Sequence, residues 1–120
     1  MNARELHLDD FIIIHDDGED IKVKVAATNG ENLAVDDGNG PFRVPANIVK
    51  PIPLTEELLS KNFPEYEEGY EIGWWPEEDN EGFYIEFEDS KYVFNLHNIK
   101  YVHQIQQIMR LCEFHREFEL

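Results

Sequence analysis

The sequence predicts an α+β protein: a small antiparallel, SH3-like β-barrel followed by a helix, an antiparallel β-hairpin or sheet, and a C-terminal helix. Apolar residues alternate with polar ones in the first fifty positions, and pairs of turn-forming residues separate these runs. Near the C-terminus, apolar residues instead recur at steps of three and four. With 42% hydrophobic residues, the 120-residue chain can bury a core, so disorder is not expected despite its charge.

The first third has the pattern of short strands joined by tight turns. Residues 11–14 form an apolar run, and residues 21–25 alternate Ile and Val with Lys. Asn29 and Gly30 supply the positive-φ pair that a type I′ hairpin requires. A second turn is predicted at residues 37–40, and Pro45 interrupts the extended stretch that follows, which indicates an edge strand or a bulge.

A stiff Pro-Ile-Pro-Leu connector at residues 51–54 predicts the boundary between two subdomains, 1–53 and 54–120, that form one compact unit. Thr55 is a good helix N-cap, and the acidic residues after it lie where the helix dipole favours negative charge. Asn62, followed by Phe-Pro, predicts the end of this helix after about two turns.

The second half predicts a strand at residues 70–75 and a hairpin formed by residues 83–88 and 92–96. Asn98 is then expected to cap the final helix, which we expect to pack across this sheet. Its predicted apolar stripe consists of Ile99, Val102, Ile105, Ile108, Met109 and Cys112.

Two segments carry a resemblance to a known family. The sequence PIPLTEELL at residues 51–59 and the sequence IKYVHQIQ at residues 99–106 are similar to the PIPLTEE and KYVHQLQN-like motifs of small proteins encoded by Bacteroidetes and their phages or mobile elements. The resemblance covers residues ~48 to 112 and says little about residues 1–45. It implies phage or mobile-element origin, and because the family is functionally uncharacterised, it implies no activity.

The net charge of −16 is concentrated in one part of the chain. Residues 55–90 carry −12, whereas residues 1–54 carry −5 and residues 91–120 carry +1. This excess of acid disfavours direct binding to nucleic acid and to anionic membranes. No apolar run approaches the ~20 residues needed to span a bilayer, and the first residues lack the apolar region of a signal peptide, so a cytoplasmic location is expected.

The sequence gives little support for enzymatic chemistry. Cys112 is the only cysteine, which excludes a disulfide framework and a thiolate zinc site. The acidic runs at residues 16–20 and 36–40 lack the register of a calcium-binding loop. We therefore predict no catalytic, cofactor-binding or metal-binding residue and no cofactor.

The histidines leave one alternative open. His97 and His103 do not have a recognised metal-ligand spacing, and we predict that His103 lies on the polar side of the final helix, where it bonds Gln107. A hydrolase that uses a carboxylate with one of these histidines remains the weakest alternative.

The aromatic residues of the acidic third are the best candidate for a functional surface. Because a strand buries every second side chain, either Trp74 or Trp75 should point outward, where Trp is a common interface anchor. The outward Trp could instead cover a loop or pack against the first half. The candidate partner-binding residues are Trp74, Trp75, Tyr84, Glu77, Glu78 and Asp79.

We therefore predict a non-enzymatic protein-interaction module whose partner is another protein. The alternative is a nucleic-acid mimic, in which carboxylates spaced like phosphates occupy the groove of a basic DNA-binding protein.

Overall fold

The computed structural model describes residues 5–29, 32–63, 71–77, 82–88, 93–111 and 117–120. They form antiparallel strands and two α-helices, which confirms the predicted α+β class. The strands are β1 (Phe11–Asp16), β2 (Glu19–Thr28), β3 (Asn32–Asp36), β4 (Pro41–Pro45), β5 (Val49–Pro51), β6 (Glu71–Pro76), β7 (Phe83–Glu88) and β8 (Val93–Ile99). The helices are α1 (Glu56–Asn62) and α2 (Val102–Leu111), and a short 3-10 helix spans Ala46–Ile48.

The chain divides into two compact units. The first contains Met1–Ile52 and Tyr101–Phe114, and the second contains Pro53–Lys100 and His115–Leu120. Helix α2 therefore belongs to the first unit, whereas the sequence pattern assigned it to residues 54–120.

The first unit contains a five-stranded antiparallel sheet with the strand order β4-β3-β2-β1-β5. Strand β5 returns to pair with β1, through partners such as Ile13 and Lys50. The described strands form an open ladder with β4 and β5 at its ends, so the closed barrel expected from the sequence is not seen. Pro41, Pro45 and Pro51 lie on these end strands, where a missing N–H costs least.

The predicted alternation builds the core of the first unit. Ile12 and Ile14 of β1 are buried, as are Val23 and Val25 of β2. Lys22, which precedes Val23 on β2, is exposed. The buried cluster contains Leu6, Ile12, Ile14, Val23, Val25, Leu33, Val35, Val44 and Val49.

Turn residues of the first unit use their polar side chains on the backbone. Asp17 and Gly18 both have positive φ and form the two-residue turn between β1 and β2. Asp36 Oδ1 accepts hydrogen bonds from the N–H groups of Gly38 and Gly40, at 2.8 and 3.2 Å. The acidic run at residues 36–40 thus supplies a hydrogen-bond acceptor for the backbone N–H groups of its own turn.

Helix α1 begins and ends where the sequence predicts. Thr55 Oγ1 accepts a hydrogen bond from the N–H of Leu58, at 3.2 Å, and the last helical residue is Asn62. The buried Asn62 amide donates to the carbonyl of Glu119 and its oxygen accepts from the N–H of the same residue. These bonds attach the last residues of the chain to α1.

The second unit also contains a three-stranded antiparallel sheet with the order β6-β7-β8. Strands β6 and β7 pair in continuous register from Glu71 with Glu88 to Pro76 with Phe83. The predicted hairpin is confirmed as β7 and β8, although its turn at residues 89–92 lies outside the described residues.

The predicted start of the final helix is wrong. Asn98 is a residue of β8 with φ 59°, and α2 begins four residues later at Val102. Asn both tolerates positive φ and caps helices, so it is suited to either position. In the described part of the chain, no helix is long and apolar enough to cross a membrane.

Candidate partner-binding surface

One face of the three-stranded sheet carries an exposed aromatic side chain. Trp75 of β6 is 44% exposed and lies directly opposite Tyr84 of β7. Residues directly opposite each other in a sheet project their side chains to the same face, as do alternate residues along a strand. We call this the Trp75 face and define it by Trp75, Tyr84, Glu86, Glu88, Val93, Asn95 and His97.

Three rings contact one another in a row across the three strands. The centroids of Trp75 and Tyr84 are 4.4 Å apart and their planes are tilted by 34°. Tyr84 in turn meets His97 of β8 edge-on, with the centroids 4.6 Å apart. Aromatic pairs at these distances contribute about 0.5–1.5 kcal/mol beyond their buried area. The row therefore holds Trp75 in one position while leaving much of its surface in solvent.

A β-bulge in β8 brings His97 into this row. Phe83 pairs with Ile99 and Ile85 pairs with Leu96, so two residues of β8 lie opposite Tyr84 alone. A bulge of this kind re-aims the side chains of the bulged strand.

Glu77 fixes the bulge from the end of β6. Its Oε1 lies 2.6 Å from His97 Nδ1, and its Oε2 accepts a hydrogen bond from the N–H of Asn98, at 3.3 Å. The Glu77 side chain is only 19% exposed, whereas that of His97 is 64% exposed. Glu77 therefore positions His97 and presents little of its own carboxylate to solvent.

The other face of the same sheet is apolar and better buried. Trp74 is half-buried and meets Phe83 edge-on at 6.1 Å, and Ile85 is fully buried. The prediction that one Trp of the pair points outward is confirmed, and the outward residue is Trp75.

The sequence-predicted site residues thus have different positions. The structure brings Trp75, Tyr84 and Glu77 together, through His97, and places Trp74 on the opposite face of the sheet. Glu78 and Asp79 lie outside the described residues.

Val93 and His97 of the Trp75 face were not among the predicted partner-binding residues. Val93 is 57% exposed and pairs with Glu88, which puts it on the same face as Trp75. The alternation in the sequence allowed this position, but its exposure depends on the tertiary structure. His97 could not be placed from sequence because the bulge shifts the register by one residue.

A second polar cluster lies in the first unit and has a different character. Asp10 is fully buried, and its carboxylate accepts hydrogen bonds from the His7 N–H at 2.8 Å, from Gln107 Nε2 at 2.7 Å and from Arg110 Nη1 at 2.5 Å. Buried Gln106 accepts from the N–H of Phe11 at 2.7 Å. Helix α2 is therefore joined to the segment before β1 by a hydrogen-bonded network, which we call the Asp10 network.

His103 lies beside the Asp10 network and is buried, so its predicted position on the polar side of the helix is wrong. Its predicted partner, Gln107, bonds instead to Asp10 and to the carbonyl of Glu5. The His103 ring stacks on Tyr101, with centroids 5.8 Å apart, and its Nδ1 has no hydrogen-bond partner. Burial lowers the pKa of His103 from its ordinary value of 6.5, and the negative charges of Asp10 and Glu5 partly oppose this.

Within the described ranges, no group of three or more His, Cys, Asp or Glu side chains could hold a metal ion. Comparison with protein-family models, with curated proteins and with solved structures found no match to this chain. The resemblance of residues ~48–112 to the Bacteroidetes and phage family stays a prediction.

Proposed function

We propose that this protein is a non-enzymatic protein-interaction module that binds its partner through the Trp75 face. The exposed, stacked position of Trp75 is the observation that carries the proposal. Trp and Tyr are the usual anchors of protein interfaces because they bury much area at little cost in side-chain entropy. The resemblance to phage and mobile-element proteins supports an accessory role in the cytoplasm of a bacterial host.

The composition of the face supports the proposal further. Among the described large hydrophobic residues of the second unit, Trp75 and Val93 are the exposed ones, and both belong to this face. An apolar ring rimmed by polar groups is the arrangement of an interface core and its rim. The cross-strand contact with Tyr84 keeps Trp75 ordered before binding, which lowers the entropic cost of association.

Site-directed photo-crosslinking in a lysate of the cells that encode the protein would test the proposal. Val93 is replaced by p-benzoylphenylalanine, and Phe42, an exposed residue of the first unit, is replaced in a control protein. We expect a discrete cross-linked partner from position 93, none from position 42, and loss of the product when Trp75→Ala is added.

The same cross-link from both positions, or its survival in the Trp75→Ala background, would contradict the proposal. A cross-linked DNA-binding protein that duplex DNA displaces would instead support the nucleic-acid mimic.

We also propose that the first unit is SH3-like. Five short strands joined by tight turns, a 3-10 helix before the last strand, and the return of β5 to β1 support this assignment. A crystal structure in which the sheet does not curve to bring β4 towards β5 would count against it.

A further inference from the structure

We infer that the Trp75 face binds an arginine-containing segment of the partner protein. The guanidinium group lies on the exposed part of the Trp75 ring, beside Tyr84, and its charge is complemented by the carboxylates of Glu86 and Glu88. This inference rests on the proposed function and adds the chemistry of the partner.

The first argument is the geometry of the rings. A guanidinium group stacks on the face of Trp or Tyr, and cation–π contacts of this kind contribute about 0.5–2 kcal/mol. Trp75 is 44% exposed, and its contact with Tyr84 on one side holds the exposed part of its ring in position for such a group. Arg suits such a surface better than Lys because it is planar and more weakly hydrated.

The second argument is the charge of the strands. Strands β6, β7 and β8 contain Glu71, Glu86 and Glu88, and no Lys or Arg. Glu86 and Glu88 follow Tyr84 on the same face of β7, at steps of about 7 Å for every second residue. Arginines two residues apart in an extended segment have the same spacing, so one can lie on the rings while the next meets a carboxylate.

The same charges argue against single-stranded nucleic acid. Proteins that bind it combine stacking aromatic side chains with a basic groove that follows the phosphates. The aromatic row is present on the Trp75 face, but its strands lack Lys and Arg. A cationic peptide is therefore the occupant that both the rings and the charges favour.

NMR titration of the full-length, ¹⁵N-labelled protein would test the inference. The probe is the capped peptide Gly-Ser-Arg-Ser-Arg-Ser-Gly, compared with the same peptide carrying neutral citrulline at both Arg positions and with oligo-dT of eight nucleotides. The chain has two Trp residues, so their indole N–H signals report separately on Trp75 and on Trp74, which lies on the opposite face.

We expect the Arg peptide to shift the Trp75 signal and leave the Trp74 signal in place. The citrulline peptide should bind roughly tenfold more weakly, as expected for the loss of a cation–π contact and a paired charge. Trp75→Ala should abolish binding, whereas Phe42→Ala in the first unit should not change it.

The role of charge has its own matched pair of variants. Glu86→Gln with Glu88→Gln should weaken the Arg peptide several-fold, because it removes the carboxylates beside the rings. Glu56→Gln with Glu57→Gln removes the same charge from exposed positions of α1 and should have a much smaller effect.

Equal affinity for the citrulline peptide, an equal effect of the two double variants, or a Trp75 response to oligo-dT alone would overturn the inference. If the Arg peptide fails while the cross-linked partner still depends on Trp75, the inference falls and the proposed function stands. If the cross-link does not depend on Trp75 either, both fall.

Discussion

The Asp10 network and the Trp75 face invert the usual distribution of polar and apolar groups. In the first unit a carboxylate is fully buried, and three donors from the chain satisfy it. In the second unit a Trp side chain is 44% exposed, and one face of its ring packs on Tyr84. A buried charge that is fully hydrogen-bonded has an internal, structural explanation. An exposed Trp does not, so the second unit is the better candidate for the functional surface.

The largest expected effect tests the structural side of this contrast. Asp10→Ala removes the acceptor for the His7 N–H, Gln107 and Arg110 at once, so it should lower the free energy of unfolding by about 3–5 kcal/mol. Urea unfolding at 25 °C would measure the change. Asp16→Ala, at an exposed position of β1, is the control and should cost about 0.5 kcal/mol or less. Similar losses in both variants would show that the network does not stabilise the first unit.

A smaller loss is expected at Gly82, just before β7. Gly82 has φ 139°, and a Cβ there would lie 2.8 Å from the carbonyl oxygen of Ile99, next to the bulge in β8. Gly82→Ala should therefore lower the free energy of unfolding by about 2–3 kcal/mol, since it adds a backbone clash to the strain of positive φ.

Gly38→Ala is the matched control for this clash. Gly38 has φ 104° but nothing lies within 4 Å of its added Cβ, so its substitution carries the strain alone, about 1 kcal/mol. Equal destabilisation of the two variants would mean that the close contact between Gly82 and the Ile99 carbonyl does not restrict the residue at position 82.

Trp75→Ala should separate stability from binding. Its loss removes the contact with Tyr84 and should cost only about 1 kcal/mol of unfolding free energy, although partner binding should be abolished. Trp74→Ala should instead cost more unfolding free energy and leave partner binding largely intact, because Trp74 packs against Phe83 on the better-buried face. Unfolding and cross-linking of both variants would measure this, and a larger stability loss in Trp75→Ala would contradict the assignment of the two faces.

The sequence predicted the elements whose causes are local. Alternating Val residues produced β2, and Thr55 capped α1 as its hydroxyl allows. The failures involve distant partners. His103 was expected on the polar side of an amphipathic helix but is buried, and its neighbour Gln106 bonds the start of β1, 95 residues earlier. No local pattern encodes such a pairing.

The candidate site shows the same limit. Alternation in β6 indicated that one Trp would point outward, but the pairing of Tyr84 with Trp75 across β6 and β7 was not predicted. The contribution of His97 required the bulge, which depends on two residues of β8 lying opposite one residue of β7. Neither the extra residue nor the Glu77 carboxylate that fixes it can be seen in the periodicity.

The smallest expected effect concerns the pH dependence of the first unit. Burial lowers the pKa of His103 in the folded state, so below the ordinary pKa of 6.5 the unfolded chain binds the extra proton more readily. The contribution of neutral His103 is thus complete above about pH 7 and is lost as the pH falls below 6.5 toward the folded-state pKa. Asp10 and Glu5 oppose the shift, which keeps this effect well below that of Asp10→Ala.

His103→Leu should therefore flatten the decline in unfolding free energy between pH 7.5 and pH 5.5, as measured by urea unfolding at each pH. The matched variant is Ile105→Leu, which changes a buried residue of the same helix and removes no titratable group. It should leave the slope unchanged. An unchanged slope in His103→Leu would show that the pH dependence of the first unit does not come from the buried His103 imidazole.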